Sequence, residues 1–302
     1  MFLATIFLLR SHNVFFAHLW RLSRSLPRPP VPAPPFRPQD IRNAIPSHCW
    51  ERNAVRSFSY LVKDVAIVLG LAYAAYTVNQ PWLWPLYWAA QGTMFWALFV
   101  VGHDCGHQSF STNKTLNDLV GHLTHSSILV PYHAWRISHR THHANHGHVE
   151  NDESWTPMPE HIYEKTDQFT RLVRFVPIIS LLLYPFYLIR GAPGKHGSHY
   201  DPNDRLFNEN ERGLIVTTNL FLTGMYSLLA YASTVIGFKA VFALYIVPYW
   251  VFVAWLDFVT YMHHHGPEDG ERVPWYRGEE GSYLRGGLTC LDRDYGGSTT
   301  FD

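Results

Sequence analysis

The stretch WPLYWAAQGTMFWALFVVGHDCGH, residues 84–107, joins a long apolar run to two histidines. From Trp82 to Val101 the chain has no charged residue, and this length is sufficient for a helix that crosses a bilayer. His103 and His107 follow at a spacing of four, which on a helix places both rings on one face, about 6 Å apart along the axis. We therefore predict a membrane-spanning helix that ends in a pair of metal-binding imidazoles.

Three other apolar stretches accompany this one, at Val65–Val78, Leu214–Ile236 and Ala240–Met262. Short turns separate the first pair of stretches and the second pair. The sequence thus predicts an all-α integral membrane protein with four transmembrane helices in two hairpins. Asp257 interrupts the last stretch, and an ionisable residue at membrane depth marks a functional site unless it reaches the interface. The shorter apolar segment Phe175–Ile189 contains prolines and is predicted to lie at the membrane surface or to re-enter it.

The charge distribution predicts which side of the membrane carries the histidines. Each hairpin returns the chain to its starting side, so residues 102–213 and 263–302 share the side of the N-terminus. The connecting loops carry only Lys239, whereas the region before the first hairpin carries eight arginines: Arg10, Arg21, Arg24, Arg28, Arg37, Arg42, Arg52 and Arg56. By the positive-inside rule, the histidine-rich metal-binding cap faces the cytosol or the stroma.

Residues 1–39 form a basic and apolar N-terminal segment followed by a proline-rich linker, and the folded domain is expected over residues 40–302. An organelle transit peptide and an interfacial amphipathic anchor both fit this segment. A secretory signal fits poorly because the positive charge follows the apolar run. The net charge of zero gives no electrostatic reason to expect nucleic acid. The three cysteines contain no CxxC pair, which argues against a disulfide scaffold or a cysteine zinc site.

Histidines recur in a second motif, HRTHH at residues 139–143, and in a run of three at residues 263–265. The spacings of three and four in the second motif again place side chains on one helical face. The total exceeds the three or four ligands of one zinc ion and favours two metal ions held mainly by imidazole. The predicted ligands are His103, His107, His139, His142, His143 and one residue of the run, assigned to His265.

The remaining histidines and nearby acids have predicted supporting roles. The histidines between the two motifs are expected to pack or to support ligands, and those just after residue 143 to hydrogen-bond to ligands or line the entrance. These residues are His122, His125, His133, His146 and His148. The nearby carboxylates either orient imidazoles by accepting their second N–H or belong to a solvated loop. They are Asp104, Glu150, Asp152 and Glu153.

Longer motifs resemble a known family. The segments at residues 84–107 and 126–143 (SSILVPYHAWRISHRTHH) resemble the first and second histidine boxes of membrane fatty acid desaturases. The segments TYMHHHG at 260–266 and SYLRGGLTCLDRDYG at 282–296 resemble the plant and algal omega-3 members. The resemblance covers about residues 40 to 296.

This resemblance implies insertion of a cis double bond at the omega-3 position of an acyl chain carried on a membrane lipid. It also implies two histidine-ligated iron ions, with O₂ as co-substrate. No GxGxxG motif opens a strand–helix unit, so the electrons are expected from a partner, a ferredoxin or a b-type cytochrome. The expected location is the chloroplast envelope or the endoplasmic reticulum, and a homodimer or a heterodimer with other desaturases is a further expectation.

One departure from the family's pattern leaves alternatives open. The family continues past residues 282–296 into a third histidine box of the form HxxHH, which residues 297–302 do not contain. The resemblance therefore implies a C-terminally incomplete chain that lacks three ligands. The alternatives are a catalytically inactive membrane protein with the desaturase fold, a related delta-12 desaturase or hydroxylase, and a membrane zinc hydrolase.

Overall fold

The structure is a computed structural model that describes residues 34–155, 160–168, 182–192, 195, 197–264 and 275–288. Its contacts separate residues 1–37 from residues 38–302, and the elements described below belong to the second unit. Within the described residues the regular structure is helical. The helices are α1 (Pro38–Ala44), α2 (Ala54–Val78), α3 (Trp84–Gly106), α4 (Lys114–Ser127), α5 (Tyr132–Asn145), α6 (Glu160–Tyr163), α7 (Tyr184–Arg190), α8 (Arg212–Val235), α9 (Phe238–Val241), α10 (Val247–His264) and α11 (Tyr283–Gly287), with single turns of 3₁₀ helix between some of them.

Three segments of the described chain are helical, long and apolar enough to cross a membrane: Ala54–Val78, Glu209–Val235 and Phe238–His264. They contain α2, α8 and the continuous run from α9 through α10. The helix α3 is 23 residues long but is not among them. The fourth span over Trp82–Val101 and the arrangement in two hairpins therefore stay predictions.

Helix α3 lies at the centre of the described fold, where it packs against α2, α4 and α10. It buries Phe95, Leu98 and Phe99 in the main apolar cluster. A side chain at Gly92 would place its Cβ 2.4 Å from the Cβ of Val251 on α10, closer than real Cβ atoms come. The glycine thus allows α3 and α10, the two helices that carry histidines at their ends, to approach closely.

A π-helical turn at Phe242–Ile246 joins α9 to α10. Its carbonyl oxygens accept hydrogen bonds from α3: the Tyr87 hydroxyl donates to Leu244 O at 2.7 Å and the Trp88 indole donates to Ala243 O at 2.9 Å. The Tyr245 hydroxyl donates to the carbonyl of Ser127 on α4 at 2.7 Å. A π-helical turn departs from the usual helical hydrogen-bond pattern, and the donors from α3 satisfy two of its carbonyl oxygens. All three hydrogen bonds hold the turn, and therefore the start of α10, against α3 and α4.

Asp257 on α10 has a structural partner. Its carboxylate accepts hydrogen bonds from the backbone N–H groups of Leu183 and Tyr184, at 3.0 and 3.2 Å. These groups lie at the N-terminus of α7, so Asp257 caps that helix from another element. Residues 175–181, about half of the segment Phe175–Ile189 that was predicted to lie at the membrane surface or to re-enter it, are outside the described residues.

Candidate metal centre

Four histidines converge where α3 ends beside α5. One ring nitrogen from each of His103, His107, His139 and His143 lies within 4.8 Å of the others, and we call these four residues the first cluster. His103 and His107 come from the last turn and the C-cap of α3. His139 and His143 are one turn apart on α5, with their Nε2 atoms 2.9 Å apart. The helical spacing of both sequence motifs thus produces one group of four nitrogens.

Three other histidines form the second cluster: His142, His146 and His264, whose ring nitrogens also lie within 4.8 Å of one another. His142 lies about 60° from His139 and about 100° from His143 around the axis of α5, and its Nε2 is 3.1 Å from Nε2 of His264 at the end of α10. His146 follows the last residue of α5, and its ring is 5.2 Å from that of His142 and 4.8 Å from that of His264. One helix therefore contributes to both clusters.

The hydrogen bonds of the second cluster determine where its lone pairs point. His146 Nδ1 is 2.7 Å from Gly286 O, and His264 Nδ1 is 2.7 Å from Thr260 O. A carbonyl oxygen only accepts, so both Nδ1 atoms must carry the proton. His142 Nδ1 lies 2.8 Å from a carboxylate oxygen of Asp152, which likewise accepts from it. In the neutral rings the Nε2 atoms are then unprotonated and face one another.

This arrangement fits a metal ion. Unprotonated nitrogens 3.1 Å apart repel one another unless a cation lies between them. Two imidazole nitrogens bound at about 2.1 Å to one ion lie roughly 3.0 to 3.4 Å apart at angles from square to tetrahedral. The Nε2 separations of 3.1 Å for His142 with His264 and 2.9 Å for His139 with His143 are close to that range.

The protonation state of the first cluster also suits the binding of a cation. Loss of hydration, reinforced by the neighbouring imidazoles, lowers the pKa of His107 to about 4 and the pKa of His143 to about 3. The same causes hold the pKa of His139 well below its usual value. These rings are therefore neutral at pH 7, the state in which imidazole binds a metal.

Aromatic packing fixes the ring planes of the first cluster. Trp135 stacks on His139 with ring centroids 4.2 Å apart. The edge of Trp135 meets His125, which is fully buried and donates from Nε2 to the carbonyl of Phe99 at 3.0 Å. A Cβ on Gly102 would lie 2.0 Å from the His125 ring, so the glycine next to His103 makes room for it. His125 is therefore a packing residue, as predicted.

The other two histidines between the motifs also lie in packing contacts. His122 stacks on Phe221 at 4.3 Å and meets His133 edge to face at 4.5 Å. His133 accepts a hydrogen bond from Arg136. Neither residue belongs to a described group of metal-binding side chains.

A segment distant in sequence closes the second cluster. We call residues 275–288 the strap. Its Tyr276 forms an isolated parallel bridge, in which Tyr276 N donates to Gly147 O at 2.8 Å and Val149 N donates to Tyr276 O at 2.9 Å. Arg277 pairs with Glu150 at 2.6 Å, and His148 Nε2 lies 3.1 Å from the carbonyl oxygen of Gly278. The strap is thus held along the chain that follows α5.

Two glycines allow the strap to come so close. A Cβ on Gly281 would lie 2.1 Å from the His148 ring, and a Cβ on Gly286 would lie 1.8 Å from the carbonyl oxygen of His146. The second contact is with backbone, which cannot rotate away. Gly286 therefore permits the close approach that brings its own carbonyl to His146 Nδ1.

The four acids predicted to orient imidazoles have different roles. Asp104 lies 3.1 Å from His103 Nδ1, and the fully buried Asp152 contacts His142. Glu150 lies 3.3 Å from Nδ1 of His148, which is in neither cluster, and also pairs with Arg277. Burial raises the pKa of Glu153 to about 7.

The structure brings five of the six predicted ligands into the two clusters. His265 lies outside the described residues, and His264 occupies the second cluster. His146, predicted to support ligands, is itself a member of that cluster. A signal for it exists in the sequence, because residues 139, 142, 143 and 146 continue one helical pattern.

Comparison with known proteins agrees with this site. The Fatty acid desaturase family matches residues 79–279, and a second family, described as Domain of unknown function (DUF3474), matches residues 27–73. The chain is 60% identical over 267 residues to the temperature-sensitive sn-2 acyl-lipid omega-3 desaturase (ferredoxin), chloroplastic, of Arabidopsis thaliana. That alignment covers 88% of this chain and 61% of the relative.

Two other relatives show the same pattern. The omega-3 fatty acid desaturase, chloroplastic, of Brassica napus is 60% identical over 88% of this chain and 66% of its own length. The acyl-lipid omega-3 desaturase (cytochrome b5), endoplasmic reticulum, of Arabidopsis thaliana is 57% identical over 88% and 69%. The chain spans about three fifths of the length of the first relatives. On these matches the chain belongs to the fatty acid desaturase family.

Proposed function

We propose that this protein is an omega-3 acyl-lipid desaturase that uses two histidine-bound iron ions. The observation that carries the proposal is the pair of adjacent clusters, in which seven imidazoles meet at the ends of three helices. Imidazole is a good ligand for iron. The identity of 57 to 60% to relatives named omega-3 desaturases supports the substrate class.

The residues would divide between two ions. The first cluster would hold one ion through His103, His107, His139 and His143, and the second cluster would hold the other through His142, His146 and His264. We retain His265 as a further candidate ligand. When bound, the iron would supply the oxidation chemistry: one hydrogen would leave each of two neighbouring methylenes of the acyl chain, and O₂, with two electrons from the donor and two protons, would be reduced to two molecules of water.

The protein's own groups prepare these ligands. Asp152, Thr260 O and Gly286 O each accept the Nδ1 proton of one ring in the second cluster, which orients the ring and leaves Nε2 to bind metal. In the first cluster, lowered pKa values keep His107 and His143 neutral, so no proton has to be displaced at neutral pH.

We also propose the four-span arrangement, with α3 as the fourth span and the clusters on the cytosolic or stromal side. The first cluster uses residues at the end of α3 and the second uses His264 at the end of α10, so an acyl chain would reach both from the apolar layer. The relatives' names include ferredoxin and cytochrome b5, and one donor of these two kinds would supply the electrons. The chloroplast envelope or the endoplasmic reticulum is the proposed location. Association with a second desaturase remains a prediction.

The test is expression in a yeast that is supplied with linoleate and co-expresses a plant-type ferredoxin with its reductase, so that both kinds of electron donor are present, followed by gas chromatography of the cellular fatty acids. The protein should yield a trienoic acid, and the His142→Ala variant should not. His48→Ala is the matched control, because His48 is exposed and lies outside both clusters. Purified protein should contain two iron ions per chain.

The other functions predict different results. Absence of trienoic acid beside a product-forming omega-3 relative, with the protein present and iron-loaded, would refute the proposal in favour of a non-catalytic homologue. A hydroxylated acid would indicate a hydroxylase, and a new double bond at the delta-12 position would indicate that class of desaturase. One zinc ion per chain without iron would indicate a hydrolase.

A further inference from the structure

An apolar groove lies between α2, α4 and α8. Its volume is about 640 Å³, and its walls come from α2, α3, α4, α8 and the π-helical turn. Leu69 on α2 and Leu119 and Leu123 on α4 line it and are 64%, 49% and 57% exposed. We call this cavity the lateral groove. Its lining residues carry no charge.

The few polar side chains in the walls use their donors within the protein, and Gln91 Oε1 is buried without a hydrogen-bond partner among the described residues. Thr124 and Ser127 donate to backbone carbonyls of their own helix, at 2.9 and 2.7 Å, and Tyr245 donates to the carbonyl of Ser127. The amide of Gln91 donates to Val68 O at 3.3 Å, and Gln91 is only 2% exposed. A ligand in the groove therefore meets hydrocarbon, and water there would find few partners.

The helices around the groove indicate what fills it. α2 and α8 belong to candidate membrane spans, and no residue of α2 is buried by the protein. An apolar surface of this kind is covered by lipid in a bilayer. An empty groove would lose dispersion contacts along both walls, which an acyl chain supplies.

The residues of α3 that line the lateral groove and the residues of α3 that belong to the first cluster lie on different faces of this helix. Gln91, Phe95 and Leu98 line the groove at spacings of four and three, so they form one face. His103 follows Leu98 by five residues, which rotates it by about 140° around the helix axis at 3.6 residues per turn. The body of α3 thus separates the groove from the first cluster.

We propose that the lateral groove binds an acyl chain of a bilayer lipid other than the chain to be desaturated. The proposal rests on the proposed function for the location in a membrane and for the existence of a separate acyl chain that is desaturated at the histidine clusters. It gives the protein two acyl-binding regions, one at the histidine clusters and one between α2, α4 and α8.

Photolabelling can test this on the full chain, reconstituted in phosphatidylcholine vesicles that contain a phosphatidylcholine with a diazirine in the middle of one acyl chain. After illumination and trypsin digestion, mass spectrometry should find label on peptide 115–136. This peptide contains α4, with Leu119 and Leu123 in the groove wall.

Two tryptophan variants on α8 make the test specific. Ala232 lines the groove, so Ala232→Trp should fill part of it and reduce the α4 label several-fold. Ala230 is exposed two residues earlier and does not line the groove, so Ala230→Trp should leave the label unchanged. Equal helical content of both variants by circular dichroism shows that they have folded.

The proposal would be overturned if peptide 115–136 of the wild type carried no label. It would also be overturned if Ala232→Trp and Ala230→Trp both kept the wild-type label on this peptide, or if both lost it to the same extent. The readout needs neither iron nor electron donor. Labelling without trienoic product would therefore refute the proposed function alone, and trienoic product without groove labelling would refute the groove alone.

Discussion

The Gly286→Ala substitution tests whether the strap holds a metal ligand in place. The new Cβ would lie 1.8 Å from the carbonyl oxygen of His146 and 2.8 Å from its carbonyl carbon. Both atoms are backbone, so the strap has to move away by about 1.2 Å to reach even a tight contact of 3.0 Å. That shift would lengthen the hydrogen bond between Gly286 O and His146 Nδ1 from 2.7 Å to about 3.9 Å, beyond hydrogen-bonding range.

The expected consequence is selective loss of one metal ion. Removing a group that orients a ligating histidine typically lowers metal affinity about 10- to 100-fold, which corresponds to roughly 1.4 to 2.8 kcal/mol. The contacts described for Gly286 are with His146 of the second cluster, so the ion of the first cluster should remain. Iron per chain should fall from two toward one as purified protein is dialysed against increasing chelator, measured by elemental mass spectrometry.

Gly287→Ala is the matched control, because a Cβ at Gly287 has no atom within 4 Å. This variant should retain both ions at the chelator concentrations that strip one from Gly286→Ala. The assignment of His146 to the second site would be contradicted if Gly286→Ala retained as much iron as the wild type. It would also be contradicted if both variants lost iron equally.

Three other perturbations have expected outcomes. Asp152→Asn removes the carboxylate from His142 and should weaken the second ion about 10- to 100-fold in the same dialysis, whereas the exposed Glu209→Gln should not. Asp257→Ala leaves the N-terminus of α7 uncapped and should lower the free energy of unfolding in detergent by about 1 kcal/mol; Asp257→Asn, which keeps an acceptor, should lose less. Burial lowers the pKa of His199 to about 4, below its unfolded value near 6.5, so the unfolded state binds the extra proton between these values and stability should fall as pH falls from 6.5 to 4. Thermal unfolding of metal-free protein should show a shallower pH dependence for His199→Gln, and an unchanged slope would refute the buried neutral ring.

Local sequence patterns were sufficient to predict the two helices that carry the first cluster. The apolar run at residues 84–101 and the spacing of His103 and His107 predict one helix, and HRTHH predicts another. Both helices are present, as α3 and α5. The packing that brings them together was not readable from spacing, because it depends on a side chain such as Trp135 between the two.

Local periodicity does not decide the assignment within residues 263–265. Buried residues of α10 recur at Phe252, Leu256 and Val259, with spacings of four and three. Continued at these spacings, this face reaches residue 263, whereas the structure buries His264 in the second cluster. The choice of ligand within this run therefore depends on how the end of α10 packs against α5, which the spacing alone does not give.

The second cluster could not be predicted as a unit because its parts come from distant segments. His142 and His264 are 122 residues apart, and His146 is held by a carbonyl 140 residues away. The first cluster needs only α3 and α5, which are close in sequence. The second also needs α10 and the strap, and it depends on a glycine whose role is visible only once two backbones meet. Since no histidine is common to the two groups, the second site can lose its ion while the first keeps its four ligands.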